Sequence, residues 1–409
     1  MGRLWCASVS LLVVLAAPAW TATAHDDDLS ARERANLQSM VSLLRDQREA
    51  LEGDLGGVAG IVAEAPSLGA VRDVVAQLLP ALSRHRALRQ RHGHRPGPAA
   101  GMPQPRAGAA PRLASAFGYA AALDSGESAP RTTLWVQAAW DDAEQDPRDG
   151  IDGFDSEARG ALVGIERELT PALVAGVAVG LSEAEVVTSG RGRDDTDSQD
   201  LQGYLRWQAG AHRWSARVAV RRNDTDRVRL ITFVRDGALR EVRLRADIDS
   251  DERQLAVSWQ WSPALPGGWY LTPSVQFSHL RLATDDYLES GGGALGLLVA
   301  TDDERQWLGN AGVAFGRFGG GGAWGWSTGA FVSFERLLRG DEVETTSTFA
   351  GTRFAFTSRA AQLEETAVMA GIDLGLVHAG GFGAHLGLAR TWQDDYRHRA
   401  LMLGVEFSF

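Results

Sequence analysis

Three groups of residues in this chain carry types and spacings that could do chemistry. His85, His92 and His94 lie close together among arginines. Imidazoles at such spacing can ligate a metal, but no cysteine or acidic cluster completes a ligand set. Asp194-Asp195-Thr196-Asp197 looks like a calcium loop, yet it lacks that loop's turn glycine and distal glutamate. A solvated acidic loop is the better reading. Glu166, Arg206, Arg217, Asp373, His385 and Glu406 are ionisable residues set into segments that otherwise alternate apolar and small. His385 could join Asp373 in a site, although polar residues in such a setting commonly satisfy one another by hydrogen bonds. The zinc motif H-E-x-x-H and the P-loop do not occur. No catalytic, cofactor-binding or metal-binding residue is assigned, and the chain is not expected to be an enzyme.

The elements that position those residues follow from composition and period. The chain has 409 residues, a net charge of −11, 47 glycines and 13 tryptophans. All of its basic residues are arginine. The acidic balance excludes the basic footprint of a nucleic-acid binder, and a mean hydropathy of −0.16 excludes a helical membrane protein. Residues 1–24 read as a secretory signal peptide: Arg3, an apolar stretch from Val9 to Ala17, then Ala22-Thr23-Ala24 before an acidic run. Cleavage near Ala24 removes Cys6, the only cysteine, so no disulfide is expected afterwards.

Residues 25–92 read as a helical hairpin or short coiled coil. Leu37, Met40, Val41, Leu44 and Leu51 fall at helical spacing, Gly53 to Gly57 breaks the run, and a second run goes from Leu68 to Leu82. Residues 93–130 are a Pro/Gly/Ala-rich linker, with one further helix expected over Leu113–Leu123.

From residue 131 onward the period is two. Val177, Val179 and Leu181 oppose Ala178, Gly180 and Ser182; Leu255, Val257, Trp259 and Trp261 oppose Gln254, Ala256, Ser258 and Gln260. A soluble sandwich also alternates, but its inward faces must be apolar. Here the second face is glycine, glutamine, arginine and carboxylate, as a wet barrel lumen requires. About twelve strands are counted. Short turns near 170, 210, 265, 321 and 380 alternate with long acidic or Gly-rich connections at 141–156, 186–196, 224–249, 282–303 and 338–363. Tryptophans Trp135, Trp140, Trp207, Trp214, Trp259, Trp261, Trp269, Trp324, Trp326 and Trp392 fall near strand ends, where an amphipathic girdle would sit. The fold class is all-β: an antiparallel, up-and-down transmembrane β-barrel of about 12 strands, preceded by a short α-helical N-terminal region.

The Gly-rich run Gly160 to Glu166 followed by Leu169 to Leu181, and the terminal Gly404-Val405-Glu406-Phe407-Ser408-Phe409, are the closest parts of a wider likeness. The stretch from Trp135 to Phe409 resembles the translocator domain of autotransporters, the type V secretion barrels. The resemblance implies an outer-membrane location in a Gram-negative bacterium and a monomeric barrel surrounded by lipid and lipopolysaccharide. It also implies that Leu401, Leu403, Val405, Phe407 and Phe409 are a signal read by the barrel-assembly machinery. No nucleic-acid partner and no cofactor are implied. The family's large passenger is missing, and so is the Gly-Asp-Ser-Leu block of its esterase members. The helical segment is then the barrel's own short cargo, a periplasmic or surface stalk, or a plug for the lumen. The alternative function is an outer-membrane pore, or a barrel hydrolase, with only architectural likeness to autotransporters.

Overall fold

The computed structural model describes residues 29–79 and 131–409, except positions 52, 66, 148–152, 189–190, 236–237, 264, 341–343, 360–365 and 394–395. The leader, His85, His92, His94, the whole linker 93–130 and the helix expected over Leu113–Leu123 lie outside the described residues. Three helices, α1 (Ala31–Asp46), α2 (Gly53–Glu64) and α3 (Leu68–Leu78), precede sixteen described strands. These are β1 (Thr132–Gln145), β2 (Phe154–Thr170), β3 (Leu173–Thr188), β4 (Gly192–Ala209), β5 (His212–Arg235), β6 (Ala238–Trp261), β7 (Trp269–Thr284), β8 (Tyr287–Leu288), β9 (Leu297–Thr301), β10 (Glu304–Gly321), β11 (Trp324–Gly340), β12 (Glu344–Phe349), β13 (Ala355–Arg359), β14 (Thr366–His378), β15 (Phe382–Gln393) and β16 (Tyr396–Ser408). No described helix is long and apolar enough to cross a membrane.

Twelve strands close a barrel in the order β1-β2-β3-β4-β5-β6-β7-β10-β11-β14-β15-β16, and β16 returns antiparallel to β1. Closure is completed at the very edge: Thr132 and Phe409 exchange backbone hydrogen bonds of 2.9 and 3.0 Å. A closed sheet has no unpaired edge, which is what allows strands to sit in hydrocarbon. One end of the barrel carries tight turns. Gly210 and Gly322 take φ of 62° and 63° in two of them, a conformation that hairpin turns need and glycine supplies.

The outward face is apolar over a band of defined height. Val177, Val179 and Leu181 are 55%, 58% and 67% exposed, tolerable only if hydrocarbon covers them. Trp207, Trp214, Trp261, Trp269, Trp324 and Trp326 ring the turn end, and Trp140, Trp307 and Trp392 ring the other end, all facing out. On β16 the outward residues run from Phe409 to Leu401 and then switch to Arg399. The eight residue steps from Phe409 to Leu401, at ~3.3 Å each and tilted by ~40°, span about 20 Å, close to the ~25 Å apolar band of outer-membrane barrels. Trp135 departs from the girdle expectation. Strand parity turns it inward with Thr133 and Gln137, and it is buried.

Two of the expected long loops are not loops. Residues 186–188 and 192–196 continue β3 and β4, and 224–235 and 238–249 are the upper halves of β5 and β6, each strand 24 residues long. Period two continues there, but the outward residues become charged because water has replaced lipid. The connections at 282–303 and 338–363 contribute β8, β9, β12 and β13, a separate four-stranded sheet at the same end. The helical region also differs from the expected hairpin, because the Gly53 to Gly57 stretch opens α2 rather than breaking the chain. Leu55, Val58, Ala59 and Val62 form a buried stripe at i, i+3, i+4 and i+7 whose burial outweighs glycine's poor propensity. α1 starts at Ser30, whose Oγ accepts a hydrogen bond from the Glu33 N–H at 3.2 Å.

The three helices share one core with the loop end of the barrel. Leu37, Met40 and Leu44 of α1, the α2 stripe, and Val71, Val75 and Leu78 of α3 pack with Ile231 and Phe233 of β5, Leu244 and Ile248 of β6, and Leu297, Val299, Phe349 and Phe356 of the small sheet. Ile231 and Phe233 share strand parity with the lumen-facing Arg217 and Arg221. The helices therefore lie on the side of the β5–β6 ribbon that continues the lumen wall.

Candidate functional site

Parity along β2, β4 and β16 brings Glu166, Arg206 and Glu406 to one side of the lumen. Arg206 donates from Nη2 to Glu166 Oε2 at 2.6 Å, and the Tyr204 hydroxyl donates to the same oxygen at 2.9 Å. Trp135 Nε1 donates in turn to the Tyr204 oxygen at 3.0 Å. A buried ion pair holds together only when its remaining polar groups are satisfied, and this chain of donors does so for Glu166. The hydroxyl end of the Tyr204 ring lies against Gly176 and the indole edge of Trp135 against Gly164, where any Cβ would clash with the ring atoms. Glycine is required at both positions by close approach, which accounts for part of the chain's glycine excess. Glu406 is buried beside this group, its carboxyl resting over Gly383.

The remaining predicted residues are spread around the lumen. Arg217 donates to Gln254 at 3.0 Å, and its neighbour Arg221 pairs with Asp200 at 2.9 Å. Asp373 and His385 sit on adjacent strands but are offset: Asp373 is opposite Gly387, and the His385 ring packs over Gly404. The two do not form the joint site that their types suggested. The Asp194 to Asp197 run is split by the strand. Asp194 faces inward, while Asp195 faces outward and takes Arg193 at 2.8 Å.

The more elaborate polar construction stands at the mouth of the barrel. Arg227 and Asp194 form a bidentate pair with contacts of 2.6 and 3.0 Å, and Arg227 also donates to the Tyr287 hydroxyl at 3.2 Å. Burial works against the Arg227 charge, but the Asp194 carboxylate beside it wins and raises its pKa above the ordinary value. Arg229 forms a second bidentate pair with Glu289, 2.8 Å on one side, and donates to the Gln77 carbonyl at 2.6 Å. The Gln77 side chain accepts from the Thr232 N–H at 2.7 Å, and Arg235 reaches Asp54 at 2.8 Å. The last turn of α3 is thus bolted to β5 through both polar ends of Gln77.

Sequence reasoning missed Arg227, Arg229, Glu289, Gln77 and the Arg235–Asp54 pair. One signal was available: the inward parity of β5 continues through Arg227 and Arg229 into Ile231 and Phe233, an arrangement that only a covered strand would carry.

The autotransporter beta-domain family matches residues 134–389. The translocator domain of the autotransporter NalP from Neisseria meningitidis is similar in structure, with a TM-score of 0.56 at 17% identity over 68% of this chain and 88% of that one. The beta domain of the Bordetella autotransporter BrkA has a TM-score of 0.49 at 15% identity, over 68% of this chain and 98% of that one. The transport unit of the autotransporter AIDA-I from Escherichia coli has a TM-score of 0.46 at 12% identity, over 70% of this chain and 93% of that one. No curated protein matches the chain. The family match covers more than half of the sequence and falls on a closed twelve-strand barrel with an apolar band outside and a polar lumen: this chain belongs to the autotransporter beta-domain family and is an outer-membrane autotransporter barrel.

Proposed function

We propose that this autotransporter displays its own N-terminal helices at the cell surface and keeps them docked over the barrel mouth rather than releasing them. One observation carries the reading. Gln77, at the end of α3, is bonded to Arg229 and Thr232 at the loop end, whereas Thr132, at the start of β1, is bonded to Phe409 at the turn end. The chain between them has to pass from one end to the other. A polar, Pro-rich segment has no route through hydrocarbon, so the lumen is the path. Long connections face outward and tight turns face the periplasm in such barrels, which puts the helices outside.

In this reading the leader is cleaved near Ala24, the outward aromatic residues of β16 ending in Phe409 are recognised by the barrel-assembly machinery, and the apolar band meets outer-membrane lipid and lipopolysaccharide. The role is display and carries no catalytic step. An epitope placed just before Ser30 tests it: antibody should label intact cells. Labelling that appears only after the outer membrane is permeabilised would overturn the proposal. Deleting residues 25–123 should leave a folded barrel of higher conductance in planar bilayers. Equal conductance of the deletion and the mature chain would favour a lumen whose arginines and carboxylates pair across it, with the N-terminal segment outside.

A further inference from the structure

On the outer wall of the barrel, a groove of about 1170 Å³ runs across the strands from β14 to β5 at the upper edge of the apolar band. Its β14–β16 end combines three features. Arg390 of β15 and Arg399 of β16 are direct register partners, both facing out and both exposed. Like charges directly opposite each other on one face of a sheet repel. Among the described residues, Arg399 has one carboxylate contact, 4.0 Å to the exposed Asp142, and Arg390 has none, with the Trp392 ring under its guanidinium at 5.3 Å. Directly below the arginines, toward the membrane, stand Ile372, Leu388, Leu401 and Trp140. Beside Arg390 the same row continues into Ala370, so no large side chain fills the space.

We propose that this end of the groove is a binding site for a phosphorylated glycolipid of the outer leaflet. A phosphate between Arg390 and Arg399 relieves their repulsion and accepts forked hydrogen bonds from both guanidinium groups. The acyl chains run down Ile372, Leu388 and Leu401. The height fits, since Arg399 lies one outward position above Leu401 at the top of the apolar row of β16, and Arg390 stands between Leu388 and the girdle residue Trp392 on β15. The far bank of the groove sets Glu185, Asp195, Asp197, Asp224 and Asp226 against Arg193, so it is net acidic, and it lies farther from the membrane, with Asp226 six residues beyond Val220 on β5. That bank repels a phosphate and so fixes the head group to the arginine end. The inference rests on the outer-membrane orientation given above.

The test uses the full-length protein refolded in detergent, titrated with bisphosphorylated lipid A and followed by native mass spectrometry. A single lipid adduct is expected. Its apparent affinity should fall at least tenfold in the double variant Arg390→Gln/Arg399→Gln and less than twofold in Arg253→Gln, an outward arginine away from the groove. Equal binding by the double variant overturns the site. Binding of dephosphorylated lipid A as strong as that of the intact lipid overturns phosphate recognition. Equal binding of phosphatidylglycerol, or displacement by millimolar inorganic phosphate, overturns the glycolipid assignment. The unheated gel mobility of each variant reports barrel folding separately, so a lost barrel is not mistaken for a lost site. If the double variant does not fold, Arg390→Lys keeps the charge and removes the fork. It should weaken binding several-fold, and unchanged binding overturns the proposal.

Discussion

The lower and upper halves of the β5–β6 ribbon are the same two antiparallel strands with their faces exchanged. Below, Trp214, Val218, Val220, Leu255 and Val257 point outward, while Arg217, Arg221, Gln254 and Ser258 point inward. Above, Arg222, Asp224, Asp226, Asp247 and Asp249 point outward, while Ile231, Phe233, Leu244 and Ile248 point inward. Register is unbroken from His212↔Trp261 to Arg235↔Ala238, so nothing in the backbone marks the change. What changes is the surroundings: lipid outside and polar lumen inside below, water outside and a helical core inside above. A strand's polarity pattern thus reports what lies on each side of it, and the same pairing serves two opposite environments.

The largest break in this comparison should come from the upper inner face. Phe233 is 2% exposed, and Phe233→Ala should cost the docked helices about 3–5 kcal/mol. Proteolysis of the helical unit on refolded protein should accelerate while the barrel band on unheated gels stays unchanged. An unchanged cleavage rate would mean that the ribbon does not hold the helices.

The buried Arg229–Glu289 pair should behave asymmetrically. Arg229→Met alone leaves Glu289 charged and buried, at a cost of about 3–5 kcal/mol, whereas pairing it with Glu289→Leu should restore much of the loss. The same proteolysis assay reads both, and additive losses would contradict the buried-charge explanation.

On the outer face, one strand provides its own control. Val218→Arg puts a cation into the apolar band at about 2–4 kcal/mol. Asp224→Arg, six residues farther along the same face, should change stability by less than about 0.5 kcal/mol. Folding yields into lipid vesicles that are equal for the two would show the band to be misplaced.

The smallest effect should come from pH. Slight desolvation by its neighbours, a hydrogen bond with Asp247, and the charges of Asp247, Asp224 and Asp195 hold the exposed Asp226 carboxyl above its ordinary pKa. A raised carboxylate favours the folded state when protonated. That contribution is present at and below the ordinary carboxylate range and is lost as pH climbs through the raised value. Asp226→Asn should therefore stabilise the upper ribbon at neutral pH and leave it nearly unchanged near pH 4. A variant effect that is the same at both pH values would remove Asp226 as the cause.

The barrel was legible in the sequence because lipid tolerates no exception. Val177, Leu205 and Leu374 must be apolar at every second position, so strand count and facing follow from reading alone. The upper ribbon was not legible, because charged Asp224 and Asp226 alternate with inward residues whose cover comes from helices some 150–180 positions earlier, as the Gln77–Arg229 and Asp54–Arg235 contacts illustrate. Period two persists there, but alternating charge has the composition of a solvated loop. α2 was hidden by its glycines, although Leu55, Val58, Ala59 and Val62 carried the helical period. Trp135 was hidden by its type: tryptophan suggested a girdle, and only parity with Gln137 told of the lumen. Of the ionisable residues, Glu166, Arg206 and Glu406 could be assigned to one lumen by parity. Their convergence through Tyr204 depends on how far each strand is shifted against the next, which no single strand's pattern encodes.

The bonds that hold Gln77 to the ribbon join two parts of one covalent chain, which gives them a property no released passenger has. The 53 residues from 79 to 131 keep the helices tethered after undocking. A covalent tether sets a local concentration that does not depend on the bulk. Redocking is therefore unimolecular: the fraction of open mouths is a pure ratio, untouched by how dilute the cells are or how fast fluid moves past them.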